Sequence, residues 1–202
     1  QEGKNIKLAT GTQLMAQDRA IVDEAYAGDI IGLFDPGIFS IGDTLCAPGK
    51  KFRFDPIPTF APEHFKRVRS LDTMKRKQFL KGMEQIAQEG AIQIFKTPYT
   101  GMEEVIVGVV GTLQFDVLEY RLKNEYNVEL YMEGLPYEYL RWIETDDGEP
   151  VKEEDLILGT DVKLVEDYKG NQLLLFGSQW AIGWTEERNK NLTFHEFGGT
   201  KF

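Results

Sequence analysis

The chain has 202 residues, 42% of them hydrophobic, with 23 Lys and Arg against 33 Asp and Glu and a net charge of −10. That composition describes a folded chain of one large or two small domains and excludes disorder; the net charge by itself opposes a general nucleic-acid binder, whose phosphate contacts need clustered Lys and Arg. Cys46 is the sole cysteine, which rules out an intrachain disulfide and fits a reducing cytoplasm. No apolar run reaches the roughly 18 residues of a membrane helix. The start at Gln1, without a Met or a signal-peptide pattern, reads as a chain trimmed from a longer one.

Up to about residue 49 the chain reads as short strands: Ile6-Lys7-Leu8, Gln13-Leu14-Met15, Ala20-Ile21-Val22 and Asp29 to Leu33, punctuated by Gly28-Asp29 and Gly42-Asp43. This is part of a small antiparallel β-barrel. About four strands are few for a closed core, so missing partner strands or an open sheet is expected. A domain boundary falls in the turn-rich Ala47-Pro48-Gly49-Lys50-Lys51.

From residue 50 onward the expectation is one α/β domain. A strand over about Glu63 to Ser70 leads to Asp72, a helix N-cap. Phe79, Leu80, Met83, Ile86 and Ala87 then recur on one helical face until Gly90 stops the helix. Ala91 to Phe95 and Glu104 to Val110 form a hairpin around Pro98 to Gly101. A second helix, about Leu113 to Tyr126, places Val117, Leu118, Arg121 and Leu122 on one side, with Glu119 and Lys123 at i, i+4, and ends at Asn127. Strands at Val128 to Met132 and Tyr137 to Ile143 follow. The predicted fold class is α+β: a partial β-barrel followed by a ferredoxin-like βαββαβ core over about 60–144, two helices on one face of an antiparallel sheet. Residues 145–202 begin with an acidic connection and read as a C-terminal α/β extension: strands near Val162 to Val165, Gln172 to Phe176 and Leu192 to Phe197, and a helix capped by Ser178. Trp180 and Trp184, at i, i+4, are expected on its buried face.

Motifs for catalysis are weak. No Gly-Lys-Ser/Thr phosphate loop is present, and Gly108-Val-Val-Gly111 is the ordinary spelling of a strand-to-helix corner more than of an anion site. Two histidines, His64 and His195, and one thiol do not make a usual zinc site. His195 beside Glu196 reads as a surface pair, and Asp146-Asp147 as solvated carboxylates. No catalytic, cofactor or metal residue is therefore assigned. Charge distribution is more informative: between Lys50 and Lys81 ten cations face only Asp55, Glu63 and Asp72, a local +7, which leaves −17 on the remainder of a −10 chain. Such clustering marks contact with phosphate or with an acidic protein, and a solvated face is the plain alternative.

Several stretches are specific words: Leu14-Met-Ala-Gln-Asp-Arg19, Asp23-Glu-Ala-Tyr-Ala-Gly-Asp-Ile30, Ile41-Gly-Asp-Thr-Leu45, Ile57-Pro-Thr-Phe-Ala-Pro-Glu-His-Phe65, Lys77-Gln-Phe-Leu-Lys-Gly-Met83, Gln88-Glu-Gly-Ala91, Val110-Gly-Thr-Leu-Gln-Phe-Asp-Val117 and Arg121-Leu-Lys-Asn-Glu-Tyr-Asn-Val128. From about Leu14 to Ile143 the chain resembles the bacterial class II peptide-chain release factors, a branch of the translational GTPases. The resemblance thins after Glu144.

It implies a β-barrel second domain and an α/β third domain, with a GTPase domain, its GTP and its Mg outside this chain. The implied partners are the small ribosomal subunit, class I release factors and the chain's own amino-terminal GTPase domain, in a cytoplasmic monomer with no membrane. The residues expected to contact the ribosome are Lys66, Arg67, Arg69, Lys75, Arg76, Lys77 and Lys81. Alternatives from other classes are an elongation-factor-G-like fragment, a small ferredoxin-like enzyme such as an acylphosphatase, and a stand-alone protein-interaction module. The enzyme would need an anion loop richer in glycine than Arg69-Ser70-Leu71-Asp72.

Overall fold

The computed structural model describes residues 7, 11–15, 18–22, 24–34, 39, 41–50, 52–55, 60–98 and 104–196. They fall into two compact units, 1–57 and 58–202. The first contains an antiparallel pair, β1 (Gly11–Met15) and β2 (Asp18–Val22), with Gly11 opposite Val22 and Met15 opposite Asp18. The expected strand at Asp29 to Leu33 is irregular apart from one bridge residue, Gly32. Of Ile6-Lys7-Leu8 only Lys7 is described, outside any strand. Ile21, Ile30, Phe34 and Phe54 of this unit are all exposed.

The second unit is built on β3 (His64–Ser70), α1 (Arg76–Gln88), β4 (Gln93–Lys96), β5 (Glu104–Val109), α2 (Leu113–Tyr126) and β6 (Leu130–Gly134). These strands lie side by side as β4-β5-β3-β6, all antiparallel, the ferredoxin-like arrangement. The remaining strands, β7 (Tyr139–Thr145), β8 (Val162–Asp167), β9 (Gln172–Phe176) and β10 (Leu192–His195), continue the same sheet. Its full order is β10-β7-β9-β8-β4-β5-β3-β6, with α3 (Gln179–Arg188) between β9 and β10. β7 follows β6 in the chain yet pairs with β9 and β10. The hairpin turn expected at Pro98 to Gly101 lies mostly outside the described residues.

Helix limits follow local chemistry. Asp72 accepts a bond from the Met74 N–H at 2.9 Å and opens a single 3-10 turn, Thr73–Lys75, before α1. Gly90, at φ 74°, ends that helix. Asn127 closes α2 in the left-handed conformation, φ 55°, which Asn tolerates better than most side chains. Ser178 caps α3 by accepting from the Ala181 N–H.

Side chains alternate between the two faces of each strand, and two different cores result. On one face Val68, Ile94, Val105, Val107 and Val109 meet Phe79, Met83 and Ile86 of α1 and Phe115, Leu118 and Leu122 of α2. Further along that face Leu164, Leu174 and Phe176 pack under Ala181 and Ile182 of α3. The opposite face carries no helix among the described residues, yet Phe65, Phe95, Ile106, Leu140, Trp142, Val165, Leu173 and Leu175 form one buried cluster. Phe65 on β3 and Leu140 on β7 are five strands apart in sheet order, so they share a core only because the sheet curls around it. Gly108 makes room for that curl: a Cβ there would lie 2.7 Å from Pro62 and 2.9 Å from the Phe95 ring.

Candidate nucleic-acid interface

The seven cations from Lys66 to Lys81 do not form one surface. On β3 the alternation sends Lys66 to the helix side, its Nζ 4.4 Å from the Phe115 ring centroid, and sends Arg67 and Arg69 to the other side. Arg67 stands opposite Glu133 of β6 and lies 3.4 Å from its carboxylate. Arg69 stands opposite Tyr131 with its guanidinium 4.6 Å from the ring centroid. Both are cross-strand pairs that hold the edge strand β6 in register. Lys75 donates from Nζ to the Asn127 carbonyl at 2.7 Å, at the negative end of the α2 dipole. Arg76, Lys77 and Lys81 are exposed on α1, Lys77 and Lys81 opposite Phe79 and Met83 and Arg76 at the exposed start of the helix. Seven charges close in sequence thus divide among different surroundings: Lys66, Arg67, Arg69 and Lys75 contact neighbouring elements, and Lys77 and Lys81 lie on the exterior of α1 with Arg76 exposed at its start.

The corner at Gly108 to Gly111 is closed by the chain itself. Gln114 Oε1 accepts from the N–H groups of Val110 and Gly111 at 3.0 and 2.9 Å, and its Nε2 donates to the Ala91 carbonyl at 2.6 Å. This is the backward half of a capping box, and it fills the place an anion would take. His195 Nε2 lies 3.7 Å from the Glu144 carboxylate, and the adjoining cleft of about 170 Å³ adds only Glu149 as a further titratable group. Asp147 sits in an exposed turn, its carboxyl held below the usual carboxylate range by the Glu149 N–H and the Thr145 side chain. No cluster of His, Cys, Asp and Glu able to hold a metal occurs among the described residues, and no described helix is long and apolar enough to cross a membrane.

Three features differ from the sequence expectation. Trp180 and Trp184 lie off the buried face of α3, which consists of Ala181, Ile182 and Thr185; Trp180 is 73% exposed. From Trp180 to Trp184 that helix is apolar all round, so periodicity alone does not choose between the small face and the aromatic one. On α2 Phe115, Leu118 and Leu122 are buried while Val117 is exposed. Lys123 pairs with Glu129 at 3.3 Å rather than with Glu119, and Arg121 pairs with Glu125 and with Glu89, the residue that caps the end of α1.

Comparison with known proteins places this architecture. Residues 1–48 match the family model described as elongation factor G domain 2, so the first unit is of the translation-factor domain II type. Residues 54–186 match the model of the class II release factor RF3, C-terminal domain, and the chain belongs to that family. Similar relatives are each called peptide chain release factor 3. One from Symbiobacterium thermophilum is 49% identical over 95% of this chain, and one from Listeria welshimeri is 46% identical over 94%. A third, from Gloeobacter violaceus, is 42% identical over 96%. The chain spans about a third of the length of these relatives, 35% in the first two and 36% in the third.

Proposed function

We propose that this chain is the ribosome-docking part of a class II release factor acting in translation termination. The whole protein binds the terminating ribosome and promotes GTP-dependent dissociation of class I release factors in the cytoplasm. GTP and Mg belong to its GTPase domain, outside this chain, and the two units described here dock on the small subunit and transmit the nucleotide state as domain motion. The observation that carries this reading is the match of both units, in order, to translation-factor models, together with 49% identity to a relative of that name over 95% of the chain.

Of the basic residues, Arg76, Lys77 and Lys81 supply the phosphate contact, because they face solvent on one helix. Lys66 and Lys75 contribute from the flanking strand and turn, and Arg67 and Arg69 make a separate contact from the opposite face of the sheet. The test is charge reversal of Lys77 and Lys81 to Glu in the full-length protein, read by cosedimentation with ribosomes across a salt series. Binding weakens and the slope of log affinity against log salt flattens by about one unit per lost phosphate contact. Unchanged sedimentation at every salt concentration overturns the assignment. The isolated 202-residue chain is expected to turn over no GTP.

A further inference from the structure

The solvent side of α3 carries a pattern that folding does not account for. Trp180, Gly183 and Glu187 follow one another at spacings of three and four and so form one stripe on the exposed face. Trp180 leaves most of a large indole in water. Gly183 lies inside the helix, where glycine is less favourable than alanine, and a Cβ built on it meets nothing within 4 Å. Neither packing nor backbone conformation in this chain calls for glycine there. Its effect is to leave bare backbone between an aromatic ring and a carboxylate.

The next turn of the same helix shows what such a stripe holds. Arg188 places its guanidinium 4.0 Å from the Trp184 ring centroid, with the Glu187 carboxylate 4.0 Å from its Nη1. Trp180 sits beside that pair, its ring centroid 6.4 Å from that of Trp184 and tilted by 40°. Among the described residues, no cation of this chain lies over Trp180. The surroundings are acidic: residues 145–196 hold twelve carboxylates and five Lys or Arg. An indole face with a neighbouring carboxylate suits a Lys or Arg side chain, and the negative field favours a basic polypeptide while opposing a phosphate backbone.

We propose that the Trp180–Gly183–Glu187 stripe of α3 is a docking surface for a basic polypeptide segment, whose Lys or Arg side chain stacks on Trp180 and pairs with Glu187 while its backbone passes over Gly183. This contact is separate from the α1 cations and opposite to them in charge, so it stands or falls independently of ribosome binding through Lys77 and Lys81.

The test follows the Trp180 indole N–H resonance of the 202-residue chain during titration with an alternating Arg-Lys peptide, an oligo-Glu peptide or a uridylate RNA oligomer of equal length. The basic peptide shifts the resonance saturably, and the other two do not. Trp180→Ala and Glu187→Gln each weaken peptide binding at least threefold with unchanged circular dichroism, and Trp180→Phe restores part of it. Gly183→Ala raises Tm by a few degrees and weakens binding. A peptide affinity unaffected by Trp180→Ala, a Trp180 shift produced by the RNA, or a lower Tm for Gly183→Ala overturns the proposal.

Discussion

Gly82 of α1 packs directly on Leu122 of α2. A Cβ at Gly82 would overlap Leu122 Cδ2 and touch the Tyr126 ring at 3.0 Å. The two helices approach so closely because a turn of α1 has no side chain at this point, and Phe79, Met83, Leu118 and Leu122 close over the sheet around it.

Gly82→Ala therefore sets two effects against each other. Alanine gains about 1 kcal/mol of helix propensity. It also forces a methyl group into a packed contact, at a cost of roughly 1–3 kcal/mol. The contact dominates, since Leu122 is fully buried and has nowhere to move. Urea denaturation should show a lower midpoint for Gly82→Ala, in contrast to Gly183→Ala on the open side of α3.

Asn189 is a buried amide with every polar atom engaged. Its Oδ1 accepts from the Ile157 N–H at 2.9 Å, and its Nδ2 donates to the Ile157 carbonyl at 3.0 Å and the Thr185 carbonyl at 2.8 Å. It thereby straps the segment before β8 to the end of α3. Asn189→Ala leaves both backbone groups of Ile157 without this partner and should destabilise the second unit by about 1–3 kcal/mol. The exposed Asn191→Ala should stay within about 0.5 kcal/mol of the native chain in the same thermal melts.

Arg121 joins Glu89 and Glu125 across the α1–α2 pair. The Glu125 carboxyl is held below its ordinary value of 4.5 by the bond from Arg121 and by the guanidinium charge, while the guanidinium itself is held further into its charged range. A carboxyl depressed in the folded state contributes stability that is present above 4.5 and is lost as pH falls through the lower folded value. The Tm difference between the native chain and Glu125→Gln should be largest well above pH 4.5 and shrink as the pH falls below it. Raising salt to about 0.5 M should shrink it at the higher pH, because the pair is exposed and screened. A difference independent of pH would assign the effect to packing of the glutamate stem.

Local signals determined much of this protein. The caps at Asp72 and Ser178, the stops at Gly90 and Asn127, and the 3.6-residue period of Phe79, Met83 and Ile86 act within a turn or two of chain, so the helices and most strands of the second unit were legible as sequence. The family words reached further, because they preserve a whole evolutionary solution, and the comparisons agree with them. Long-range geometry was decided only by the tertiary structure. Period-two alternation split Lys66 from Arg67 and Arg69, and closure of α2 drew Lys75 onto Asn127; the seven cations from Lys66 to Lys81 became several surfaces. The face that α3 buries was likewise settled by the small space over Leu174 and Phe176, which admits Ala181 and Ile182 and turns Trp180 toward water. Charge along a chain is additive whatever the fold, whereas which charges and which rings share a surface depends on contacts between residues far apart in sequence.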